Sequence, residues 1–186
     1  GILSFNSEDT ILRAIKGAIK QSWEHKEIIV LDDNSKDNTY ETIEESEYKN
    51  QILLLKNDKN LGPGYSRNKI VEIANGDFIC FMDDDDYSHP ERISKQINAI
   101  YDAGYPKNKY VISTCNILRK YKSGYVKRLY SMGTYGEYPR NKELADFLLF
   151  NSIKKGVDYG FACPTSAMLG TKESYKLVGN FDVNLR

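Results

Sequence analysis

Four aspartates in a row, Asp83-Asp84-Asp85-Asp86, follow directly on the apolar run Phe78-Ile79-Cys80-Phe81-Met82. Adjacent carboxylates repel and raise each other's pKa. A divalent cation removes that cost, and carboxylate oxygens suit hard ions such as Mg²⁺ or Mn²⁺. In an extended segment Asp83 and Asp85 share a side, because side chains alternate. The pair can then offer one carboxylate to a metal and the other to a nearby hydroxyl. The alternative is a solvated acidic loop without a ligand. A second acidic pair, Asp32-Asp33, ends the run Ile28-Ile29-Val30-Leu31. Asp33 can accept hydrogen bonds from a base or a ribose, or it can belong to a turn with Asn34 and Ser35 as cap residues. Arg67 can reach a nucleotide phosphate or base, or simply face solvent.

Other chemistries lack their residues. No G-x-x-x-x-G-K-[ST] and no G-x-G-x-x-G occurs, which counts against P-loop hydrolases and dinucleotide enzymes. No G-x-S-x-G elbow supports a serine hydrolase. The two histidines are His25 and His89, and His89 is assigned to a helix cap rather than to a metal. The three cysteines, Cys80, Cys115 and Cys163, form no C-x-x-C pair, so a disulfide scaffold and a zinc ribbon are not expected. Cys80 reads as a small packed hydrophobe, and a reducing, cytoplasmic setting fits. Lys plus Arg and Asp plus Glu are both 26, so the formal net charge is zero and no whole-chain attraction to nucleic acid is indicated. Residues 119–140 nevertheless interleave basic side chains with Tyr121, Tyr125, Tyr130, Tyr135 and Tyr138. Such a stretch can bind single-stranded nucleic acid, line a groove for a sugar or lipid-phosphate acceptor, or be a solvated hairpin.

The elements that must position these groups follow from hydrophobic spacing. The chain has 186 residues, 40% hydrophobic and 28% charged, enough for one core. No apolar run approaches the roughly 18 residues of a membrane span, and no signal peptide is read. Residues 2–5 are a short apolar run, and the chain is expected to start a few residues inside that strand. Ser7-Glu8-Asp9 offers a helix cap, and Ile11, Leu12, Ile15, Ala18 and Ile19 follow at helical spacing. The run 28–31 is apolar on both faces, as in a buried parallel strand. A polar helix is predicted over 38–46, and 52–55 reads as a further buried strand. Pro63 is placed to start a helix that ends at Asn75-Gly76. Residues 78–82 read as one strand. Ser88-His89-Pro90-Glu91 has the form of a capping box, leading a helix through Ile93, Ile97 and Ile100. Then follow a strand over 110–118, a turn at Lys122-Ser123-Gly124, a strand near 125–130, a helix over 142–152, a strand near Ala167 and a helix over 172–177.

Strand and helix thus alternate four times within about the first 105 residues, which predicts an α/β fold with an open, mostly parallel sheet and helices on both faces. Ligands of such sheets bind beyond the carboxyl ends of the strands. Both acidic clusters belong on that edge. A smaller hairpin region follows, and the whole, 1–186, is expected to be one domain.

The order of these segments resembles the family-2 inverting glycosyltransferases with the nucleotide-diphospho-sugar (GT-A) fold. The resemblance is carried by Ser4-Phe5-Asn6-Ser7, by residues 27–39 around Asp32-Asp33-Asn34-Ser35, by Asn60-Leu61-Gly62 through Ser66-Arg67-Asn68, by Asn75-Gly76-Asp77-Phe78-Ile79, by Phe81-Met82-Asp83-Asp84-Asp85-Asp86 with Pro90-Glu91-Arg92 behind it, and by Val178-Gly179-Asn180-Phe181-Asp182. It implies a nucleotide-binding half over about residues 1–105 and an acceptor-side half over about 106–186. It implies Ser4, Asn6, Asp33, Arg67, Asp83 and Asp84 around the donor, with Asp33 at the uracil or other base and Asp83 at the ribose. It implies Mn²⁺ or Mg²⁺ on the diphosphate at Asp85, with Asp83 and Asp86 in support.

The expected partners are a nucleotide-diphospho-sugar, a UDP-sugar first of all, and a saccharide or lipid-linked acceptor. Nucleic acid is not expected, and peripheral contact with the inner face of a cell membrane is compatible. Two departures stand out: Ser4 replaces the usual proline of the first motif, and Asn180 replaces a glycine. The family's catalytic base follows the segment ending at Asp182, so it is expected beyond Arg186, with Asp182 and Asp158 as fallback positions. A non-catalytic nucleotide-sugar-binding module is the competing expectation. A sugar nucleotidyltransferase is a weaker one, since residues 1–10 lack its Gly-rich basic loop.

Overall fold

The computed structural model describes residues 1–140, 142–161 and 164–184, the side chains of residues 148–150 excepted. Cys163 and Arg186 lie outside the described residues. In chain order the elements are β1 (Ile2–Ser4), α1 (Ile11–Ile19), β2 (Ile29–Asp32), α2 (Thr39–Glu44), β3 (Leu53–Lys56), α3 (Gly62–Ile73), β4 (Phe78–Cys80), β5 (Met82–Asp83), α4 (Arg92–Asp102), β6 (Ile112–Thr114), β7 (Ile117–Lys120), β8 (Val126–Leu129), α5 (Lys142–Phe150), β9 (Met168–Thr171) and α6 (Lys172–Val178). Two compact units result: one of residues 1–113 with those from 169 on, the other of residues 114–168.

The first unit is built on a parallel sheet in the order β3-β2-β1-β5. Every residue of β2 is buried. Alternation sends Val30 to one face, where it meets Ile11, Ala14 and Ile15 of α1 and Ile43 of α2. It sends Ile29 and Leu31 to the other face, against Ile70, Ala74 and Phe81. Each such side chain taken out of water contributes about 1.5–3 kcal/mol. This two-sided covering is why the β-branched run reads as a parallel strand.

Three expectations are corrected. The run 52–55 is an edge strand rather than a buried one: β3 has a single neighbour, and Leu53 is 48% exposed. The run 78–82 is two strands in two sheets. β5 pairs in parallel with β1, whereas β4 pairs antiparallel with β9 in a second sheet of order β4-β9-β6. Phe81, 1% exposed, is the pivot between them and meets the Tyr175 and Phe181 rings edge-on, each at 5.9 Å. Lastly, Ser7 and Ser88 are not the N-caps. The residues before α1 and α4 are Thr10 and Glu91, and the Ser88 hydroxyl accepts from Gln21 Nε2 at 3.1 Å. Both serines are buried; a tertiary partner takes the Ser88 hydroxyl in place of a cap, and the Ser7 N–H donates to Thr39 Oγ1 at 2.7 Å. His89 does sit at the start of α4: its Nδ1 accepts from the Glu91 N–H.

One polar tie holds the far end of α3. The Glu27 carboxylate accepts from the N–H groups of Asn75 and Gly76, at 2.6 and 2.9 Å. Burial alone raises its pKa, but these bonds and the Asn75 side-chain amide outweigh it, and the carboxyl titrates below its ordinary value. A depressed folded pKa gives stability that is present above the unfolded value and lost as pH falls through the folded one. The Glu27→Gln variant should therefore be less stable than the parent near pH 7, by about 1 kcal/mol after discounting for exposure. That gap should close below about pH 4. Urea midpoints of both proteins across that range check it; a gap independent of pH sinks the assignment.

In the second unit β7 and β8 form an antiparallel hairpin with Gly124 at φ +84° in the turn. The expected strand over 110–118 is broken into β6 and β7. Asp158 fixes the loop beyond the hairpin: one carboxylate oxygen accepts from Tyr135 N at 2.8 Å and the other from Gly160 N at 2.9 Å. These bonds hold its pKa below the ordinary value. Among the described residues no helix is long and apolar enough to cross a membrane.

Candidate functional site

β1, β2 and β5 run in parallel, with Ser4 beside Asp32 and Leu3 beside Asp83. Their carboxyl ends therefore share one edge of the first unit. Asp33 and Asp83 are separated by β1 alone, two strand spacings or roughly 10 Å. Between them the Ser4 hydroxyl is buried without a hydrogen-bond partner, while the Ser4 carbonyl accepts from Asp33 N at 2.9 Å.

Asp33 is 5% exposed. Its Oδ1 accepts from Asn57 Nδ2 at 2.8 Å and Leu61 N at 2.9 Å, and its Oδ2 from Gly62 N at 2.8 Å. The first N–H groups of a helix lack intrahelical partners, so this carboxylate caps α3 from a neighbouring strand. Asp32 is fully buried and turns back on Ser35, accepting from its N–H and hydroxyl. Asn6, in the left-handed region at φ +55°, accepts from Lys36 N at 2.7 Å. Its own N–H donates to Ser35 Oγ at 2.9 Å. Asn6 thus clamps the loop after β1 onto the loop after β2.

The acidic run is extended only at Asp83, the last residue of β5, and then turns: the Asp86 N–H donates to the Asp83 carbonyl at 3.2 Å. Even so, Asp83 and Asp85 are exposed while Asp84 and Asp86 are half-buried. Asp84 ties the turn to β1 by accepting from Phe5 N at 3.2 Å. Burial pushes its carboxyl above the ordinary value, and neighbouring Asp85 adds to this, against the Ser7 hydroxyl and the Phe5 N–H. Asp83 lies 3.9 Å from the guanidinium of Arg67. Arg67 stands over the rings of Phe81 and Phe181, at 6.0 and 5.8 Å, and its Nε is buried without a partner. The backbone carbonyl of Asp85 accepts from Arg13.

Among the described residues no three His, Cys, Asp or Glu side chains converge on one point, so these residues offer no protein-only metal cage. The exposed carboxylates of Asp83 and Asp85 still fit a Mg²⁺ or Mn²⁺ ion that takes its remaining oxygens from phosphates and water. Asp182 lies on the same unit as the acidic edge. Asn68 of α3 exchanges two hydrogen bonds with Phe181, at 2.8 and 3.0 Å. A Cβ on Gly64 would meet the Asp182 carbonyl at 2.7 Å, so only glycine admits this approach. Both bonds from Asn184 fall on the Asp182 Oδ1. Asp158 belongs to the other unit, with both of its oxygens engaged.

Sequence reasoning missed Asn57 and Lys69. Lys69 Nζ donates to Asn57 Oδ1 at 3.0 Å, and the two help line a polar pocket of about 210 Å³ with Lys59, Leu61 and Tyr65. The signal was available: β3 ends at Lys56 on the same edge. A larger cavity of about 560 Å³, among Trp23, Phe78 and Ile97, lies by the opposite, amino ends of the strands, away from the edge where such sheets bind ligands.

An α/β unit with a parallel sheet and an acidic, arginine-bearing carboxyl edge is of the doubly wound class whose ligands bind at that edge. Residues 1–169 match the family described as glycosyl transferase family 2, and the chain belongs to that family. It is 36% identical over 97 residues to the UDP-Glc:alpha-D-GlcNAc-diphosphoundecaprenol beta-1,3-glucosyltransferase WfaP of Escherichia coli, covering 52% of this chain and 38% of the relative. The structure of S. aureus TarS 1-349 in complex with UDP matches at 30% identity and TM-score 0.50, over 54% of this chain and 31% of that one. A second TarS 1-349 structure matches 92% of this chain and 45% of that one at 22% identity and TM-score 0.59, which shows a shared fold. That fold is the GT-A type implied by the motif order. The chain spans less than half the length of these relatives.

Proposed function

We propose that this chain binds a nucleotide-diphospho-sugar, a UDP-sugar, along the carboxyl edge of its parallel sheet and passes the sugar to an acceptor hydroxyl with inversion, in polysaccharide or glycoconjugate synthesis. One juxtaposition supports the reading most: Asp33, Ser4, Asp83 and Arg67 gather at adjacent strand ends, within the length of a single nucleotide-sugar. The UDP bound in the TarS structure and the UDP-Glc in the name of the Escherichia coli relative favour the uridine class.

The base enters beside Asp33, which keeps the Leu61-Gly62 turn and Asn57 in place at the mouth of the polar pocket. Asp83 accepts from the ribose hydroxyls. Arg67, with an unpaired buried Nε and a long ion pair to Asp83, turns its charge toward the diphosphate. Asp85 and Asp83, with Asp86 in support, would hold Mn²⁺ or Mg²⁺, which when bound neutralises charge on the leaving diphosphate. The acceptor, a saccharide or lipid-linked, is deprotonated by a carboxylate within hydrogen-bond reach of its hydroxyl. Of the two fallback positions Asp182 is the one on the same unit, and its Oδ2 lies outside the Asn184 bonds.

Calorimetric titration with UDP tests the reading. Binding is expected in Mn²⁺ and should weaken at least about tenfold in EDTA, a difference near 1.4 kcal/mol. A chain that binds no nucleoside diphosphate under either condition overturns it. Release of UDP from UDP-glucose, with and without a saccharide acceptor, then separates transfer from binding alone.

A further inference from the structure

Of the 26 basic residues in this chain, five fall within residues 117–129, and none of the 26 acidic ones does. Arg119, Lys120, Lys122, Lys127 and Arg128 are all exposed, and among the described residues none of them makes an ion pair. The register places Arg119 directly opposite Lys127. Like charges facing across a ladder destabilise it. A hairpin that keeps such a pair, with no acid nearby in sequence, is arranged for an external anion.

The apolar side chains complete the pattern. Tyr121 N donates to the Tyr125 carbonyl at 2.9 Å, so the two tyrosines face each other across the hairpin tip. Ranked from tip to root, one face therefore carries Tyr121 with Tyr125, then Arg119 with Lys127, then Ile117 with Leu129. The other face carries Lys120 with Val126 and Leu118 with Arg128. Leu118 and Tyr125 are 62% and 63% exposed, whereas Leu129 is buried. Same-face layers along a strand are about 7 Å apart. The rings thus lie about 7 Å tipward of the Arg119–Lys127 layer, within the depth to which an interfacial segment enters a bilayer, with Lys122 in the turn at the tip. Tyrosine rings favour that interface, one end apolar and the other wet.

We propose that the β7–β8 hairpin is a membrane-surface anchor that seats on an anionic lipid bilayer. Tyr121 and Tyr125 enter the headgroup region, and the five cations engage lipid phosphates. A single-stranded nucleic acid fits less well: its bases need open ring faces, and these two rings are turned on each other, 5.6 Å apart at 32°. The inference is independent of the nucleotide site, since it uses residues of the second unit alone.

Co-sedimentation with vesicles tests it. At about 0.1 M salt the chain should bind vesicles of phosphatidylcholine with roughly 30% phosphatidylglycerol and leave phosphatidylcholine vesicles unbound. The Arg119→Gln/Lys127→Gln double variant should lose about thirty-fold in partitioning. A Tyr125→Trp variant should gain a blue-shifted emission component on adding the anionic vesicles. That readout stands if the charge variant proves poorly folded. Equal partitioning of parent and charge variant, no emission change at position 125, or binding to a uridine oligomer without binding to vesicles would each overturn the proposal.

Discussion

The Asp33→Ala variant should lose about 3 kcal/mol of folding stability, a large fraction of what a domain of this size has to lose. The side chain is buried and accepts three hydrogen bonds, two from the backbone at the start of α3 and one from Asn57. Alanine leaves those donors without an acceptor in a site that water reaches poorly. Each buried orphan costs about 1–3 kcal/mol. The sum is reduced because Asn57 keeps a second acceptor in Ser66 Oγ at 3.2 Å and because helix N-termini can take up water. The urea midpoint, with the slope held equal to the parent's, measures the loss. A loss below about 0.5 kcal/mol, the range of an ordinary surface change, would mean the carboxylate is not the cap of α3. The Asp33→Asn variant separates support from recognition. It retains one acceptor oxygen for the backbone, so it should recover part of the stability, while a donor base that needs the carboxylate still binds weakly.

The Asp85→Ala variant should behave in the opposite way, intact in fold and deficient in ligand. Asp85 is exposed in a turn, and its structural bond, accepted from Arg13, is made by the backbone carbonyl and survives. The stability change should therefore stay within about 0.5 kcal/mol, and removing one of four adjacent charges relieves repulsion. In Mn²⁺ the affinity for UDP should fall to the level seen in EDTA, at least about tenfold below the parent, as expected for loss of a metal-ligating carboxylate when even supporting residues cost 10–100-fold. In EDTA parent and variant should bind alike. That pairing of conditions isolates the metal from the nucleotide. If Mn²⁺ still strengthens UDP binding to the variant as it does for the parent, Asp85 is not a ligand.

The strands that read well from sequence are those whose environment is set locally. Residues 28–31 are apolar on both faces and lie in the sheet interior, so pattern and burial agree. Residues 52–55 carry the same pattern on an edge, because which strand lies outermost depends on pairing order, absent from a single run of residues. The break at Phe81 was invisible for a related reason: it arises where β9, about ninety residues downstream, claims residues 78–80. For the candidate site, the strand-end placement of Asp33 and Asp83 followed from the order of elements. The partners of Asp33 lie 24–29 residues away, and the meeting of Arg67 with Asp83 crosses from helix to strand. No local periodicity encodes either contact. The serine caps failed because Ser7 and Ser88 are buried in tertiary contacts, the Ser7 N–H on Thr39 Oγ1 and the Ser88 hydroxyl on Gln21, neither of which a local capping pattern encodes.

The pairing of β4 with β9 also dictates the order in which the chain can mature. The parallel ladder of β1 with β2 joins residues about 28 apart, whereas Ile79 meets Gly170 across about ninety, an added closure cost near 1 kcal/mol. During synthesis, β1, β2, β3 and β5 can assemble while the middle strand of the second sheet is still unmade. Through that interval β4 presents unpaired backbone beside the aromatic side chains Phe78 and Phe81, an open template for another nascent chain. The late strand β9 is thus a latch on the ribosome's timescale: the side of β4 it covers stays open to misassembly until residues 168–171 emerge and pair with it.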